Sequence, residues 1–208
     1  GRPVGVLTGP NLAREILEGR SAATVIAATD PSAATALQGL LASERLRVYT
    51  NDDLVGCELA GALKNVIALA AGMAEGLDTG DNARAALITR GLAEMTRLGV
   101  AMGGDPMTFA GLAGMGDVMA TCMSPQSRNR WVGEQVGRGA SPESVLAGMD
   151  QVAEGVRTAA VACEMADTVG LEVPVAEAVR SVFDEGRSPT EVWSMLMSRR
   201  SGPEVATT

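Results

Sequence analysis

Strand-like patterns occur only in the first fifty residues of this 208-residue chain, and everything after them is helical in pattern. Short β-branched runs predict three buried strands, at residues 4–7, 24–27 and 46–50. Helical patterns lie between the strands, and such αβ alternation is typical of layered domains that need more sheet than three short strands provide. We therefore expect residues 1–51 to be the last part of a sheet domain.

Two short helices are predicted inside this first part. Asn11 is placed to cap a helix that runs to about Glu18, and Gly19 follows the end of that helix. Asp30 is placed to cap a second helix, with Pro31 at its first position and an end near residue 43. Because a capping residue stands at the start of each helix, the sequence predicts the positions at which the chain passes from strand to helix.

The second part, residues 52–197, is predicted to be an all-helical domain. Apolar residues recur there at three- and four-residue spacings, and glycines and prolines separate the segments. The predicted helices are 52–74, 82–100, a short one from Pro106, 114–121, 129–138, 142–147, 152–169, 175–183 and 189–197. Residues 198–208 are polar, and we expect them to be a disordered tail.

Composition excludes several classes of function. The net charge is −8 and only 2% of the residues are aromatic, which argues against nucleic-acid binding. The chain has no histidine and no CxxC pair, so no metal site is expected. Cys57, Cys122 and Cys163 are interpreted as buried free thiols of a protein in the reducing cytoplasm. The uncharged stretch 65–74 is too short to insert across a membrane.

Lys64 is the first candidate for chemistry, because it lies in a run of small and apolar residues and is followed by Asn65. Two interpretations are open. A lysine in a partly dry pocket is a usable base, whereas a surface lysine lays its stem along apolar neighbours. On a helix, Ala60 and Ala68 share its face, which would leave room for a substrate.

The glycine-rich segment 111–117 delivers Asp117 to the start of an apolar helix. It is not a dinucleotide fingerprint, because the third glycine is missing and no strand precedes it. Asp117 either caps the helix or acts as an acid that pairs with Lys64 or holds a substrate hydroxyl.

Ser127, Arg128 and Asn129 form the third candidate site, since a serine cap, a guanidinium and an amide at a helix start suit an oxyanion or a phosphate. The alternative is a well-capped surface helix with solvated arginines. Farther along, Gln151 and Glu154 lie where another helix begins, and the simplest interpretation of Glu154 is a first-turn acid.

Five segments of the chain occur in the order LTGPNLARE, RVYTNDDLVGCELAGALKNVIALAAGMAEGL, GDNARAALITRGLAEMTRLG, TFAGLAGMGDVMATCMSPQSRNR and QVAEGVRTA. Together they resemble the bacterial NAD(P)-dependent glycerol-3-phosphate dehydrogenase family over about residues 4–197. ELAGALKN and SRNR at this separation are highly specific to that family. The resemblance implies a mostly α chain, with an all-helical substrate domain preceded by the last αβ units of a Rossmann-type sheet domain.

The resemblance also implies roles for individual residues. Lys64 matches the proton-transfer lysine and Asp117 the substrate-binding acid. Substrate contacts are further implied for Gly9, Ser127, Arg128 and Asn129, and cofactor contacts for Ala13, Arg128, Val152 and Glu154. Asn11 stands where the family usually has Ser or Thr, so a side-chain contact with substrate there is in question.

The implied reaction is reversible reduction of dihydroxyacetone phosphate to sn-glycerol 3-phosphate with NAD(P)H, for phospholipid synthesis in the cytoplasm. The family's opening glycine-rich segment and a second active-site lysine are absent, and together with the rest of that domain they would amount to about 100–150 residues. The cofactor site is therefore expected to be incomplete, and the choice between NAD and NADP stays open.

Two other interpretations of the sequence stay open. One is a related two-domain enzyme of the hydroxyacid or ketopantoate reductase type, whose substrate lacks a phosphate. The other is a catalytically silent helical fragment that associates through the open edge of its incomplete sheet. A homodimer is also an expectation for the enzyme itself.

Overall fold

The computed structural model describes residues 4–149 and 151–199. Three strands, β1 (Gly5–Thr8), β2 (Ala22–Ala28) and β3 (Leu46–Asn51), form a sheet in the order β1-β2-β3. β1 runs antiparallel to β2, and β3 runs parallel to it. The helices within the described residues are α1 (Ala13–Leu17), α2 (Pro31–Leu41), α3 (Leu54–Gly76), α4 (Asp81–Ala101), α5 (Pro106–Ala110), α6 (Asp117–Met123), α7 (Arg128–Gly137), α8 (Pro142–Ala147), α9 (Glu154–Val169), α10 (Pro174–Phe183) and α11 (Pro189–Met197).

Both faces of the sheet are covered. Ile26 and Val48 pack on one face against Leu37 of α2. On the opposite face, Val25 and Ala27 pack against Cys57 of α3 and against a π-helical turn, Leu112–Gly116, that precedes α6. The sheet is thereby fixed against the helical part of the molecule, and the end of β1 lies beside α3.

The helix α3 is the centre of the fold, because α4, α6, α7, α9 and α10 all pack against it. By length and composition alone α3 is apolar enough to cross a membrane. Its apolar side chains are used inside the protein, however, since Ala60, Ala68 and Leu69 are fully buried. Such a central helix belongs to the core of a globular fold.

Four glycines bring α3 and α7 into backbone contact. A Cβ on Gly72 would lie 2.0 Å from the carbonyl oxygen of Arg130, and one on Gly133 would lie 2.1 Å from that of Leu69. Gly76 and Gly137 make similar approaches one turn farther along each helix. Only residues without a side chain allow two helices to come this close. We call these four residues the glycine crossing.

The predicted fold class, mostly α with a small sheet at the start, is confirmed. Asp30 caps α2 as predicted, and its carboxylate accepts a hydrogen bond from the Ser32 amide. Asn11 does not cap α1: the cap position is Leu12, and the Asn11 amide donates to Thr24 Oγ1 instead. Ser198 closes α11. Residues 200–208, the remainder of the segment expected to be disordered, lie outside the described residues.

Candidate active site

Lys64 and Asp117 form an ion pair between α3 and α6. The distance from Lys64 Nζ to Asp117 Oδ2 is 2.5 Å, and the side chains are only 20% and 5% exposed. Of the two interpretations of Lys64, the partly dry pocket is the one observed. Ala60 and Ala68, which share its helix face, are fully buried in the core. They therefore do not provide the space for a substrate that was expected beside the amine.

Asp117 receives three donors. Besides Lys64, the Gly9 amide donates to Oδ2 at 3.3 Å, and Thr121 Oγ1 donates to Oδ1 at 3.2 Å. Burial raises the pKa of Asp117, while Lys64 and the other two donors limit that rise. The carboxylate makes no cap for α6, whose start has no side-chain cap bond. Asp117 therefore binds and orients the Lys64 side chain.

The π-helical turn explains how Asp117 reaches this position. Gly114 packs against the backbone of Phe109, where a Cβ would lie 2.1 Å from a carbonyl oxygen. The wider turn Leu112–Gly116 then continues directly into α6. Such single π turns re-aim the side chains that follow them. The sequence showed a glycine-rich approach to Asp117, but the π geometry was not predicted.

Gly9 brings the end of β1 to the same carboxylate. Its φ of +113° is in the region that favours glycine, and the residue is buried. Next to it, the Asn11 amide bonds Thr24, whose hydroxyl donates to the Thr8 carbonyl. Ala13 lies exposed in the first turn of α1. Asp117 thus joins the sheet part of the chain to the helical part.

A second group of predicted residues meets around Arg128. Its guanidinium donates to Gln151 Oε1 at 3.0 Å and to Glu154 Oε1 at 3.3 Å. Arg128 is 42% exposed, and nearby in sequence Val152 is 73% exposed. This surface cluster offers a cation, hydrogen-bonding groups and an apolar side chain to a ligand from solvent.

Ser127 and Asn129, the two neighbours of Arg128 in the sequence, are buried, and each accepts a hydrogen bond from a backbone amide. Ser127 Oγ accepts from the Arg130 amide at 3.3 Å and caps α7. Asn129 Oδ1 accepts from the Gly155 amide at 2.9 Å. Gly155 in turn lies against α3, where a Cβ would be 2.6 Å from the Asn65 carbonyl oxygen. The Arg128 cluster is thereby attached to α3 one residue after Lys64.

Thr121 and Gly155 are the site residues that sequence reasoning missed. Thr121 follows Asp117 by four residues, so the two share one helix face, and this spacing was an available signal. Nothing in the sequence pattern marked Gly155, because its role comes from the approach of α3.

The chain offers few side chains of the types that commonly transfer protons in enzymes. Lys64 is its only lysine, all other basic residues are arginines, and there is no histidine. Burial raises the pKa of Cys57 and Cys163 to about 11 and that of Cys122 to about 12, so the thiols are inert. Among the described residues there is no group of three or more Cys, Asp or Glu that could hold a metal. The arrangement therefore suits proton transfer by Lys64 beside an anion-binding surface.

This fold and this site define a class of protein, a mostly helical chain in which a small sheet packs on a central helix that carries a lysine–carboxylate pair. Residues 53–194 match the model of the family described as NAD-dependent glycerol-3-phosphate dehydrogenase C-terminus. The chain belongs to this family of oxidoreductases.

Curated relatives agree with this assignment. The chain is 55% identical over 205 residues to glycerol-3-phosphate dehydrogenase (NAD(P)+) 2 of Sphingopyxis alaskensis, covering 99% of itself and 62% of the relative. It is 52% identical to glycerol-3-phosphate dehydrogenase (NAD(P)+) of Mycobacterium avium, covering 99% and 60%. The chain therefore spans about three fifths of the length of the relatives it matches.

Solved structures show the same fold. The glycerol-3-phosphate dehydrogenase of Coxiella burnetii is similar with a TM-score of 0.92 and 38% identity, over 95% of this chain and 61% of that one. The glycerol-3-phosphate dehydrogenase of Saccharomyces cerevisiae is similar with a TM-score of 0.81 and 28% identity, over 91% and 58%.

Proposed function

We propose that this chain is the substrate-binding and proton-transferring part of an enzyme that reversibly reduces dihydroxyacetone phosphate to sn-glycerol 3-phosphate with NAD(P)H. The observation that carries the proposal is the largely buried Lys64–Asp117 pair in a chain of this family. The product would supply phospholipid synthesis. The experiments below use a longer protein, in which this chain is fused to the segment of its relatives that it does not span. We call this fusion the extended protein.

Lys64 is the proton donor in this proposal. When a hydride adds to the ketone carbon, the C=O π electrons move to the oxygen, and Lys64 gives its proton to that oxygen. The neutral amine then regains a proton from solvent, so one proton is consumed for each ketone that is reduced. In the reverse direction Lys64 accepts the hydroxyl proton. Asp117 and Asn65 orient the amine and the substrate hydroxyls.

Arg128, Ser127 and Asn129 are proposed to hold the phosphate. Arg128 supplies charge and a planar donor pair, while the buried Ser127 and Asn129 keep the start of α7 in place. The backbone of Gly9 is proposed to contact the substrate as well, with Asn11 beside it. A phosphate anchored away from the reacting carbon converts binding energy into orientation of the ketone.

The residues present fit part of a nucleotide site. Arg128, Glu154, exposed Val152 and exposed Ala13 would hold the cofactor, since a guanidinium, a carboxylate and apolar surface suit phosphate, ribose and a ring. The chemistry that NAD(P)H supplies when bound is hydride transfer to the ketone carbon. The rest of the cofactor site is proposed to lie in the part of the relatives that this chain does not span.

Further proposals concern organisation. We propose residues 1–51 as the end of the cofactor-binding domain and 52–197 as the substrate domain, in a cytoplasmic protein that forms a homodimer. These expectations come from the family resemblance. The sheet of the first unit packs against α3 of the second through Val25, Ala27 and Cys57.

Substrate selectivity tests the proposed reaction. In the extended protein, NADH or NADPH oxidation should proceed with dihydroxyacetone phosphate, and ketopantoate should be a poor substrate. Arg128→Ala should raise KM for dihydroxyacetone phosphate at least tenfold, whereas Arg157→Ala, an exposed arginine on α9, should not. Equal turnover of ketopantoate, together with indifference to Arg128→Ala, would favour the related reductases instead.

A further inference from the structure

Arg130 belongs to the same SRNR segment as Arg128 but has a different environment. Its side chain is 12% exposed, against 42% for Arg128. Nη1 lies 2.8 Å from Glu134 Oε2, and Nη2 lies 3.1 Å from Glu75 Oε1. Arg130 is thus held by two carboxylates inside the protein rather than presented to solvent.

The two carboxylates are themselves fully engaged. Glu75 Oε2 also pairs with Arg84 at 3.2 Å, and Glu134 Oε1 pairs with Arg138 at 2.5 Å. These five residues form a chain of alternating charges, which we call the Arg130 network. It joins the end of α3, the first turn of α4 and the whole length of α7.

Arg130 is a poor candidate for binding substrate phosphate. A phosphate would have to displace Glu75 or Glu134 and leave a partly buried carboxylate without its partner, which is costly. Arg128 faces no such obstacle, since both of its partners are exposed. The two arginines of the segment are therefore suited to different tasks.

The backbone of Arg130 is fixed as firmly as its side chain. Its amide donates to Ser127 Oγ, and its carbonyl oxygen lies at the glycine crossing, against Gly72 of α3. Arg130 is thus the residue at which the start of α7 is joined to α3, two positions after Arg128. Any shift of Arg130 would move Ser127, Arg128 and Asn129 relative to Lys64.

We infer that Arg130 is a positioning residue: through Glu75 and Glu134 it sets the place of the Ser127–Asn129 segment relative to Lys64 without contacting substrate. The inference rests on the proposed function for the identity of the ligand. It assigns the second arginine of the segment a role distinct from that of the first.

Conservative substitutions on both sides of the ion pair test the inference. In the extended protein, Arg130→Lys and Glu75→Gln should each raise KM for dihydroxyacetone phosphate about tenfold. Turnover of dihydroxyacetone, which has no phosphate, should stay within about twofold. The double variant should be little worse than either single one, because both changes break the same contact. Arg157→Gln, at an exposed arginine of α9 outside the network, should leave both substrates unaffected.

Other outcomes would overturn the inference. If Arg130→Lys raises KM and Glu75→Gln does not, Arg130 contacts the phosphate directly. If both variants lower the melting temperature and leave KM unchanged, the network only stabilises the fold.

A second measurement needs no turnover. Inorganic phosphate at constant ionic strength should raise the melting temperature of the unsubstituted extended protein, here called the parent protein. The rise should be smaller in Arg130→Lys and Glu75→Gln. No rise in the parent protein, or an equal rise in all three, would contradict the positioning role. Failure of the parent protein to reduce dihydroxyacetone phosphate while this pattern holds would count against the proposed reaction alone.

Discussion

At the scale of single residues, the Lys64–Asp117 pair is both the most constrained and the most consequential contact. Asp117 is buried with three donors around it, and one of its oxygens serves both Lys64 and the Gly9 amide. Its carboxylate holds the Lys64 amine in place. The pair depends on charge as well as on shape.

Asp117→Asn should therefore abolish most activity while keeping the fold. The amide is nearly the same size, but it removes the negative charge beside Lys64 and leaves the amine without its counter-ion. We expect kcat in the extended protein to fall by about 100-fold or more. Asp167→Asn, an exposed acid on α9, is the matched control and should leave kcat unchanged. Retention of normal kcat by Asp117→Asn would show that the pair is only structural.

Glu94 predicts a pH dependence of stability that is separate from the site. It is buried on α4, and its carboxylate accepts the amides of Val175 and Ala176 at the start of α10. Burial raises the pKa of Glu94 to about 7, although these amides and Arg97 oppose the rise and Glu177 adds to it. The unfolded value is near 4.5, so the folded state binds the extra proton between these two values.

Stability from Glu94 should be complete below pH 4.5 and should be lost as pH rises through about 7. The difference between the two pKa values corresponds to about 3 kcal/mol. Urea unfolding of the chain at pH 5.5 and pH 8 measures the part of this loss that occurs above pH 5.5, about 2 kcal/mol, against Glu94→Gln, which cannot titrate. The loss of stability between these pH values should be smaller in the variant. Identical pH profiles would show that Glu94 titrates normally.

Candidate residues were easier to predict than their contacts. Lys64 stood out because its neighbours are small and apolar, and Asp117 because glycines precede it. Thr121, Gly155 and the capping role of Glu94 depend on which helices meet, which a single sequence does not state. The polar partner of Asn11 was missed for the same reason.

At the scale of elements, the glycine crossing sets the distance between the helix that carries Lys64 and the helix that carries Arg128. Gly133→Ala would place a Cβ 2.1 Å from the Leu69 carbonyl oxygen, so the helices would have to separate. We expect a loss of about 1–3 kcal/mol in the free energy of unfolding. Gly39→Ala, in α2 with open space around it, should instead add about 0.5–1 kcal/mol. Equal effects of the two substitutions on chemical denaturation would contradict the close crossing.

Helix positions followed well from periodicity and from capping residues. Asp30, Ser127 and the prolines at helix starts mark them in the sequence because they satisfy free backbone amides or fit the first turn. The π-helical turn Leu112–Gly116 was not predictable, since a wider turn leaves composition and spacing almost unchanged. Its cause is the tight contact of Gly114 with Phe109, which is a tertiary effect.

At the scale of the whole molecule, the sheet and the helical part meet at Asp117 and along α3. The sequence predicted three strands before an all-helical region, and this order is correct. The antiparallel pairing of β1 with β2 was not specified, because strand direction depends on connections that patterns do not encode. The chain spans about three fifths of the length of its relatives, and we propose that much of the cofactor site lies in the part that it does not span.

The 208-residue chain alone should therefore bind NADH weakly or not at all. Titration of NADH with the purified chain, followed by nicotinamide fluorescence, measures this directly. The extended protein is the positive control and should give a saturable change. Tight binding by the chain alone would mean that the cofactor site is complete within it, contrary to the proposed division of the site.

The central claim is that Lys64 transfers the proton, and its replacement in the extended protein tests that claim most directly. NADH oxidation with dihydroxyacetone phosphate should fall by about 100-fold or more in Lys64→Met, with circular dichroism and NADH binding unchanged. Lys64→Arg should be nearly as inactive, because a guanidinium keeps the charge but does not release its proton at neutral pH. Near-normal turnover by either variant would contradict the account.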